Sequence, residues 1–180
     1  YKSSITLTLG TGVGGGIIID GKIYTGFNHA AGEMGHIAIH AGGESCGCGR
    51  KGCLEAYASA TALIREAKRA FQEHPDCMIR TLCEGDLNKI NAKTPFDAKR
   101  AGDKIGTAIV DKYIRDLGEG IINYINIFQP EIILLGGGVS KEGDYLLVPL
   151  REYVFQYSYG HDFLPQTKIE CAMLGNDAGI

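Results

Sequence analysis

Three cysteines and a histidine between Gly32 and Glu55 constrain this chain more than any other feature. They are His36, Cys46, Cys48 and Cys53. Thiolates and an imidazole nitrogen are ligands of tetrahedral zinc, and three cysteines with one histidine form a known closed, structural combination. Glycines at 47, 49 and 52 permit the positive φ angles that turn neighbouring sulfurs onto one ion. We therefore predict a structural zinc site that staples this loop, against the alternative of buried or free cysteines beside a core histidine.

The composition argues against several classes of protein. The 180 residues suffice for one sizeable domain, the net charge is −3 and the basic residues are scattered, which does not favour a nucleic-acid-binding surface. No apolar run approaches the roughly 20 residues that span a bilayer, and the N-terminus does not have the pattern of a signal peptide. Cys77, Cys83 and Cys171 are isolated, which suits a reducing compartment better than a disulfide scaffold. A cytoplasmic protein with no membrane segment is expected.

Both ends of the chain suggest that it belongs to a longer protein. The sequence lacks an initiating Met and enters directly into an apolar strand. Near the other end, Asn176 or Asp177 has the character of a helix N-cap, with almost no helix after it. We expect a longer chain on either side.

The N-terminal residues predict an antiparallel arrangement around a glycine-rich turn. Residues 5–9 and 17–19 have strand character, and Asp20-Gly21 is a two-residue hairpin turn before a short returning strand at 22–24. Gly10, Gly12 and Gly15 satisfy the dinucleotide-binding pattern, but that pattern requires a helix directly after the glycines, and here a strand follows. The turn can still present backbone N–H groups to a phosphate. A plain glycine hairpin without a ligand remains the alternative.

The rest of the chain predicts helices and then a β-α-β unit. One amphipathic helix is predicted at 54–71, short helices near 76–83 and 97–101, and a long helix near 104–128, in which Gly118 and Gly120 suggest close packing of another backbone. An aliphatic strand at 131–135 runs into three glycines, followed by a helix near 144–157 and a strand at 168–171. This order predicts an α/β fold with a mixed sheet and helices on both faces.

Four segments together resemble one known family. LGTGVGGGIIIDGKI, AGEMGHIAI, CGCGRKGCLE and PEIILLGGGVS, in this order, are similar to the ROK family of sugar kinases and sugar-responsive repressors. The resemblance covers nearly the whole chain and the C-terminal half of a family member. It implies one lobe of the actin-like, ribonuclease H-like ATPase fold over residues 1–180, with a zinc-stapled, sugar-binding insertion at about 27–55 and the N-terminal lobe absent.

The resemblance also implies roles for individual residues. Glu33, His36 and Glu55 match sugar-binding positions, so His36 would place one ring nitrogen on zinc and turn the other towards the sugar. The glycine turns would hold ATP, a co-substrate that binds with magnesium. The matching positions are Gly10, Thr11 and Gly12 on the phosphate side, and Gly137 and Gly138 on the adenosine side.

Two parts of the family pattern have no match in this sequence. One is the first phosphate turn, and the other is the catalytic aspartate, which lies upstream of the GTG turn in the family. Asn176-Asp177 is at the wrong end of the chain to supply that aspartate. The residues present therefore predict much of a sugar site and half of an ATP site. We expect this chain alone not to turn over.

The resemblance predicts an ATP-dependent hexose kinase, with glucose as the favoured substrate and glucose 6-phosphate as the product. It also implies a homodimer. The alternative is the effector domain of a ROK-type sugar-responsive repressor, and only that alternative would involve nucleic acid. A third interpretation, a zinc-stapled scaffold without a small ligand, leaves both glycine turns unexplained.

Overall fold

The computed structural model describes residues 1–173, and within them it has one mixed sheet in the order β3-β2-β1-β4-β5. β1 pairs antiparallel with β2 and parallel with β4, and β4 pairs parallel with β5. The mixed α/β fold predicted from the sequence is confirmed. The strands are β1 Ser4–Leu9, β2 Val13–Ile19, β3 Lys22–Ile23, β4 Ile132–Gly136 and β5 Lys168–Cys171.

The glycine-rich segment differs from its prediction in one respect. The turn is confined to residues 10–12, and Gly14, Gly15 and Gly16 lie inside β2, paired with β1. The predicted hairpin turn is confirmed, since Asp20 and Gly21 have φ angles of 51° and 74°.

Six α-helices are described besides short 3₁₀ turns. They are α1 Glu55–Ala58, α2 Ala60–Glu73, α3 Met78–Leu82, α4 Thr94–Arg100, α5 Lys104–Phe128 and α6 Asp144–Tyr157. The single helix predicted at 54–71 is therefore wrong, because Ser59 has extended φ and ψ angles of −90° and 164°. Its hydroxyl accepts the N–H of Ala62 at 3.1 Å, which begins a new helix.

The core joins the sheet to α5. Ile5 and Leu7 of β1 and Leu117 and Ile121 of α5 are all fully buried in one cluster. Along β1 the intervening threonines are less buried, as the two-residue period of a strand requires. α5 thus packs directly against β1, the central strand of the sheet.

Two further observations concern the ends of the chain and membranes. The helix N-cap predicted at Asn176 or Asp177 lies outside the described residues. Among the described helices, none has the length and apolar character needed to cross a bilayer.

Candidate metal centre and adjoining glycine turns

The four predicted metal ligands converge on one point. Their donor atoms all lie within 4.8 Å of one another. Nδ1 of His36 is 3.5 Å from Sγ of Cys46, and the Sγ atoms of Cys48 and Cys53 are 3.7 Å apart. Bond lengths of about 2.3 Å to sulfur and about 2.0 Å to nitrogen in a tetrahedron separate two sulfurs by about 3.8 Å and a sulfur from a nitrogen by about 3.5 Å. The cluster can therefore bind a metal ion, and its donor set fits zinc.

Backbone contacts shape the cysteine loop, residues 45–53, around this point. Isolated bridges join Ala38 to Cys53 and Ser45 to Lys51. Gly52 has a φ of 84°, and a Cβ at this position would lie 1.7 Å from the His40 carbonyl oxygen. Only glycine combines that backbone conformation with such a close approach, so Gly52 lets the loop return to the segment after His36.

The thiols differ in their environments. The backbone N–H of Arg50 lowers the pKa of Cys48, which is exposed, whereas burial, with smaller effects of Cys48 and Cys46, raises the pKa of Cys53 to about 12. A buried thiolate beside two other sulfurs is unfavourable without a compensating cation. A bound metal ion supplies that charge, which couples ionisation of these cysteines to metal binding.

His36 places its two ring nitrogens in different surroundings. Nδ1 faces Cys46, while Nε2 lies 3.9 Å from the carboxylate of Glu33, whose side chain is 75% exposed. One nitrogen is therefore directed to the metal cluster and the other to an open carboxylate. This arrangement is compatible with the two roles expected of His36, because the two ring nitrogens are distinct and a metal on one leaves the proton on the other.

The Met34–His36 turn, a short 3₁₀ turn, packs closely on β2. A Cβ on Gly35 would lie 2.2 Å from the Val13 carbonyl oxygen, and one on Gly15 would lie 2.3 Å from Cγ of Met34. Gly15 therefore makes room for the turn. Sequence reasoning considers this glycine only as part of the dinucleotide-binding pattern, which it rejects, and does not predict the contact with Met34.

Glu55, at the start of α1, joins the cysteine loop to the first glycine turn (residues 10–12). One carboxylate oxygen accepts the N–H of Val13 at 3.0 Å, and the other lies 3.7 Å from Sγ of Cys46. A Cβ on Gly12 would be 2.3 Å from the Glu55 carboxylate. The predicted sugar-binding and phosphate-binding residues are thus in direct contact.

The second glycine turn (residues 136–138) lies beside the first. β1 and β4 are parallel neighbours, so both turns follow the carboxyl ends of adjacent strands, where ligands bind in open α/β sheets. Gly137 has a φ of 84°, and its Cβ would lie 2.5 Å from the Leu9 carbonyl oxygen. Next to Gly138 is a cavity of about 360 Å³, whose lining includes Lys93, Asp97 and Arg100.

Sequence reasoning missed a polar cluster behind the cysteine loop. Nε2 of His40 lies 2.8 Å from the carboxylate of Asp116 on α5, and Nζ of Lys112 donates to the same carboxylate at 2.6 Å. The Asp116 side chain is only 7% exposed. His40 also meets the ring of Tyr57 edge to face. The cluster connects the loop to the core, and neither periodicity nor spacing indicated it.

A family model for the ROK family matches residues 1–180 of this chain. Among curated relatives, the glucokinase of Thermotoga maritima is 39% identical over 98% of this chain and 55% of its own length. The glucokinase of Halalkalibacterium halodurans is 42% identical over 99% of this chain and 54% of its own length. The chain thus spans about half the length of the curated relatives that it matches.

Solved structures and repressors also match. A ROK family glucokinase from Streptomyces griseus, crystallised with glucose and AMPPNP, superposes with a TM-score of 0.90 at 36% identity, covering 99% of this chain and 58% of that one. The xylose repressor of Caldicellulosiruptor bescii is 33% identical over 98% of this chain and 43% of its own length. Kinases and repressors therefore share this part of the molecule.

Proposed function

The chain belongs to the ROK family, and from this premise we propose that the full-length protein is an ATP-dependent hexose kinase that converts glucose to glucose 6-phosphate. The observation that carries the proposal is the contact between Glu55 and the first glycine turn. Glu55 accepts the N–H of Val13 beside Gly12. Phosphoryl transfer depends on holding acceptor and donor together, and this contact brings a candidate sugar ligand to a candidate phosphate turn.

In this proposal three side chains bind the sugar. Glu33, His36 and Glu55 would hold hexose hydroxyls, since carboxylate oxygens accept hydrogen bonds from adjacent OH groups and Nε2 of His36 faces Glu33. The proton acceptor for the reacting hydroxyl is the family's aspartate, which we place upstream of the first glycine turn.

The two glycine turns would bind magnesium ATP. The first glycine turn would contact the transferring phosphate through the exposed Thr11 hydroxyl and through backbone N–H groups, of which that of Gly10 already donates to the Gly12 carbonyl at 3.0 Å. Gly137 and Gly138 would lie against the adenosine, for which the adjoining cavity of about 360 Å³ is within the usual size of ligand pockets, about 300–1,000 Å³.

The metal cluster would have a structural role. His36, Cys46, Cys48 and Cys53 would hold zinc, and four protein ligands leave no position for a substrate. The ion supplies fixed geometry and positive charge, while Nε2 of His36 stays directed outwards.

A repressor is the second candidate function, and the match to the xylose repressor favours it specifically. A repressor would bind the sugar with the same residues and would need a DNA-binding segment elsewhere.

A homodimer is also proposed, and light scattering on the full-length protein tests it.

The decisive experiment follows ADP release by the full-length protein with ATP, magnesium and a panel of hexoses. Turnover with glucose is expected. Glucose binding without ADP release would contradict the kinase and support the repressor, and operator DNA binding would then be measured. If no hexose binds, both functions are wrong.

A further inference from the structure

One buried tyrosine connects α5 to the candidate sugar-binding turn. Tyr124 is 1% exposed, and its hydroxyl donates a hydrogen bond to the Met34 carbonyl. Met34 is the first residue of the Met34–His36 turn. It lies between Glu33, the N-cap of the turn, and His36. The bond therefore spans 90 residues of sequence to reach the backbone that carries two candidate sugar ligands.

The opposite side of the same turn rests on β2. The Met34 side chain is buried against Gly15, and Gly35 lies against the Val13 carbonyl. A turn this short has few internal hydrogen bonds, because three residues complete only one 3₁₀ turn. Its orientation then depends on contacts outside the turn: the strand on one side, Tyr124 on the other, and Cys46 and Arg50 at His36.

We propose that Tyr124 is a positioning residue for hexose affinity, whose hydroxyl holds the Met34–His36 turn so that Glu33 and Nε2 of His36 face the sugar together. The inference rests on the proposed function, because it concerns the same sugar site. Tyr124 itself does not reach that site, since its side chain is buried beneath the turn.

The buried environment of Tyr124 keeps its hydroxyl protonated, so that it can donate to the Met34 carbonyl. Burial raises the pKa of Tyr124 above its usual range, so the group stays neutral and protonated at physiological pH. Without the hydroxyl, the Met34 carbonyl would be buried without this partner, and the turn would relax to expose it to water. Hexose binding would then have to reverse that relaxation.

α5 offers a matched control. Tyr113 is also buried, at 3% exposure, and its hydroxyl donates to the Ala58 carbonyl at 2.9 Å, away from the Met34–His36 turn. Tyr113→Phe and Tyr124→Phe remove the same group from the same helix. Both should lower the unfolding temperature to a similar extent.

The test measures glucose dissociation constants of the full-length protein by calorimetry, together with the KM for ATP and the zinc content. Tyr124→Phe should weaken glucose binding about tenfold, as expected when a buried acceptor loses its donor. The KM for ATP and the zinc content should change less than twofold. Tyr113→Phe should weaken glucose binding clearly less than Tyr124→Phe, although its acceptor Ala58 ends α1, the helix that begins at Glu55.

A second pair of variants changes the side of the turn that packs on β2. This pair tests the inference if Tyr124→Phe does not fold. Gly15→Ala would push Met34 from the other side, whereas a Cβ on Gly16 meets nothing within 4 Å. Gly15→Ala should weaken glucose binding at least as much as Tyr124→Phe, and Gly16→Ala should not.

Either of two results overturns the inference. The first is an equal change in glucose affinity for the two tyrosine variants, and the second is no change for Tyr124→Phe in a folded protein. A wild-type protein that binds no hexose contradicts the proposed function itself and removes the inference with it.

Discussion

The cysteine loop and the pair of glycine turns lie close together but are held in place by different forces. The loop has two isolated backbone bridges and three cysteines that converge with His36 as metal ligands. The turns continue from β1 and β4, whose buried side chains pack against α5. We therefore expect the loop's geometry to depend on the metal ion that these ligands can hold and on a few polar contacts, whereas the geometry of the turns depends on the core. Variants that cannot bind the ion should therefore alter the cysteine loop and leave the glycine turns in place.

The largest effect is expected from Cys48→Ala. Three ligands hold zinc much more weakly than four, so the loop should lose its order while the sheet stays folded. Zinc content should fall by more than half and glucose affinity about 100-fold or more, measured by metal analysis and calorimetry. Cys171→Ala is the control, since this thiol lies outside the cluster and donates to the Ser140 carbonyl at 3.2 Å. Unchanged zinc and glucose binding in Cys48→Ala would contradict the zinc assignment.

Gly137→Ala should affect the other region. A Cβ 2.5 Å from the Leu9 carbonyl, at a φ of 84°, forces β1 and β4 apart beyond their last paired residues. We expect a loss of about 2–3 kcal/mol in unfolding free energy, measured by urea denaturation, and weaker ATP binding with zinc content preserved. In Gly138→Ala the added Cβ meets nothing within 4 Å. This variant is therefore the control for the loss of unfolding free energy, but not for ATP binding. Equal destabilisation by the two variants would show that the contact with Leu9 is unimportant.

Asp116→Asn should weaken the contact between the segment before the cysteine loop and α5 of the core. It removes a charge shared by His40 and Lys112, but both partners are nearly half exposed and can be solvated, so the cost should be about 1–2 kcal/mol rather than that of a fully buried pair. Asp111→Asn is the matched control on the same helix, because the Asp111 side chain, paired with Lys99, is 45% exposed against 7% for Asp116. Chemical denaturation compares the two, and an equal effect would argue against any special role of Asp116.

The smallest effect is expected from Glu44→Gln. A hydrogen bond from Arg69 of α2, supported by the charge of Arg65, lowers the pKa of Glu44 from 4.5. Because the folded-state pKa is depressed, the stabilisation is present above about pH 4.5 and is lost as the pH falls through the folded-state pKa. Glu44→Gln should therefore lower the unfolding temperature slightly at pH 7, and the difference from the wild type should shrink as the pH falls below 4.5. A difference that does not shrink with falling pH would assign the effect to something other than this charge.

Some elements could be predicted closely because local signals agree. α5 has the predicted bounds, since Asp103 caps its first turn through Gly106 at 2.7 Å, the apolar period continues for seven turns and Pro130 follows its end. The metal cluster was visible because its four ligands are near in sequence and share one chemistry.

Other features depend on contacts that a local pattern does not contain. The break at Ser59 was missed because serine among alanines also suits a helix. The close packing expected at Gly118 and Gly120 is present, but the neighbours are the side chains of Tyr153 and Leu54, not another backbone. The pairs His40–Asp116 and Tyr124–Met34 join residues 76 and 90 positions apart, so only the fold brings them together.

The parallel pairing of β1 with β4 has a consequence for how such a chain can diverge. Thr8 lies opposite Gly136, so the spacing of the two glycine turns is set by a direct strand contact and is independent of the number of residues between them. Segments between β3 and α5 can lengthen, shorten or be exchanged without moving either turn. Selection can therefore remodel the segment that carries the candidate sugar ligands while the geometry of the neighbouring turns stays constant.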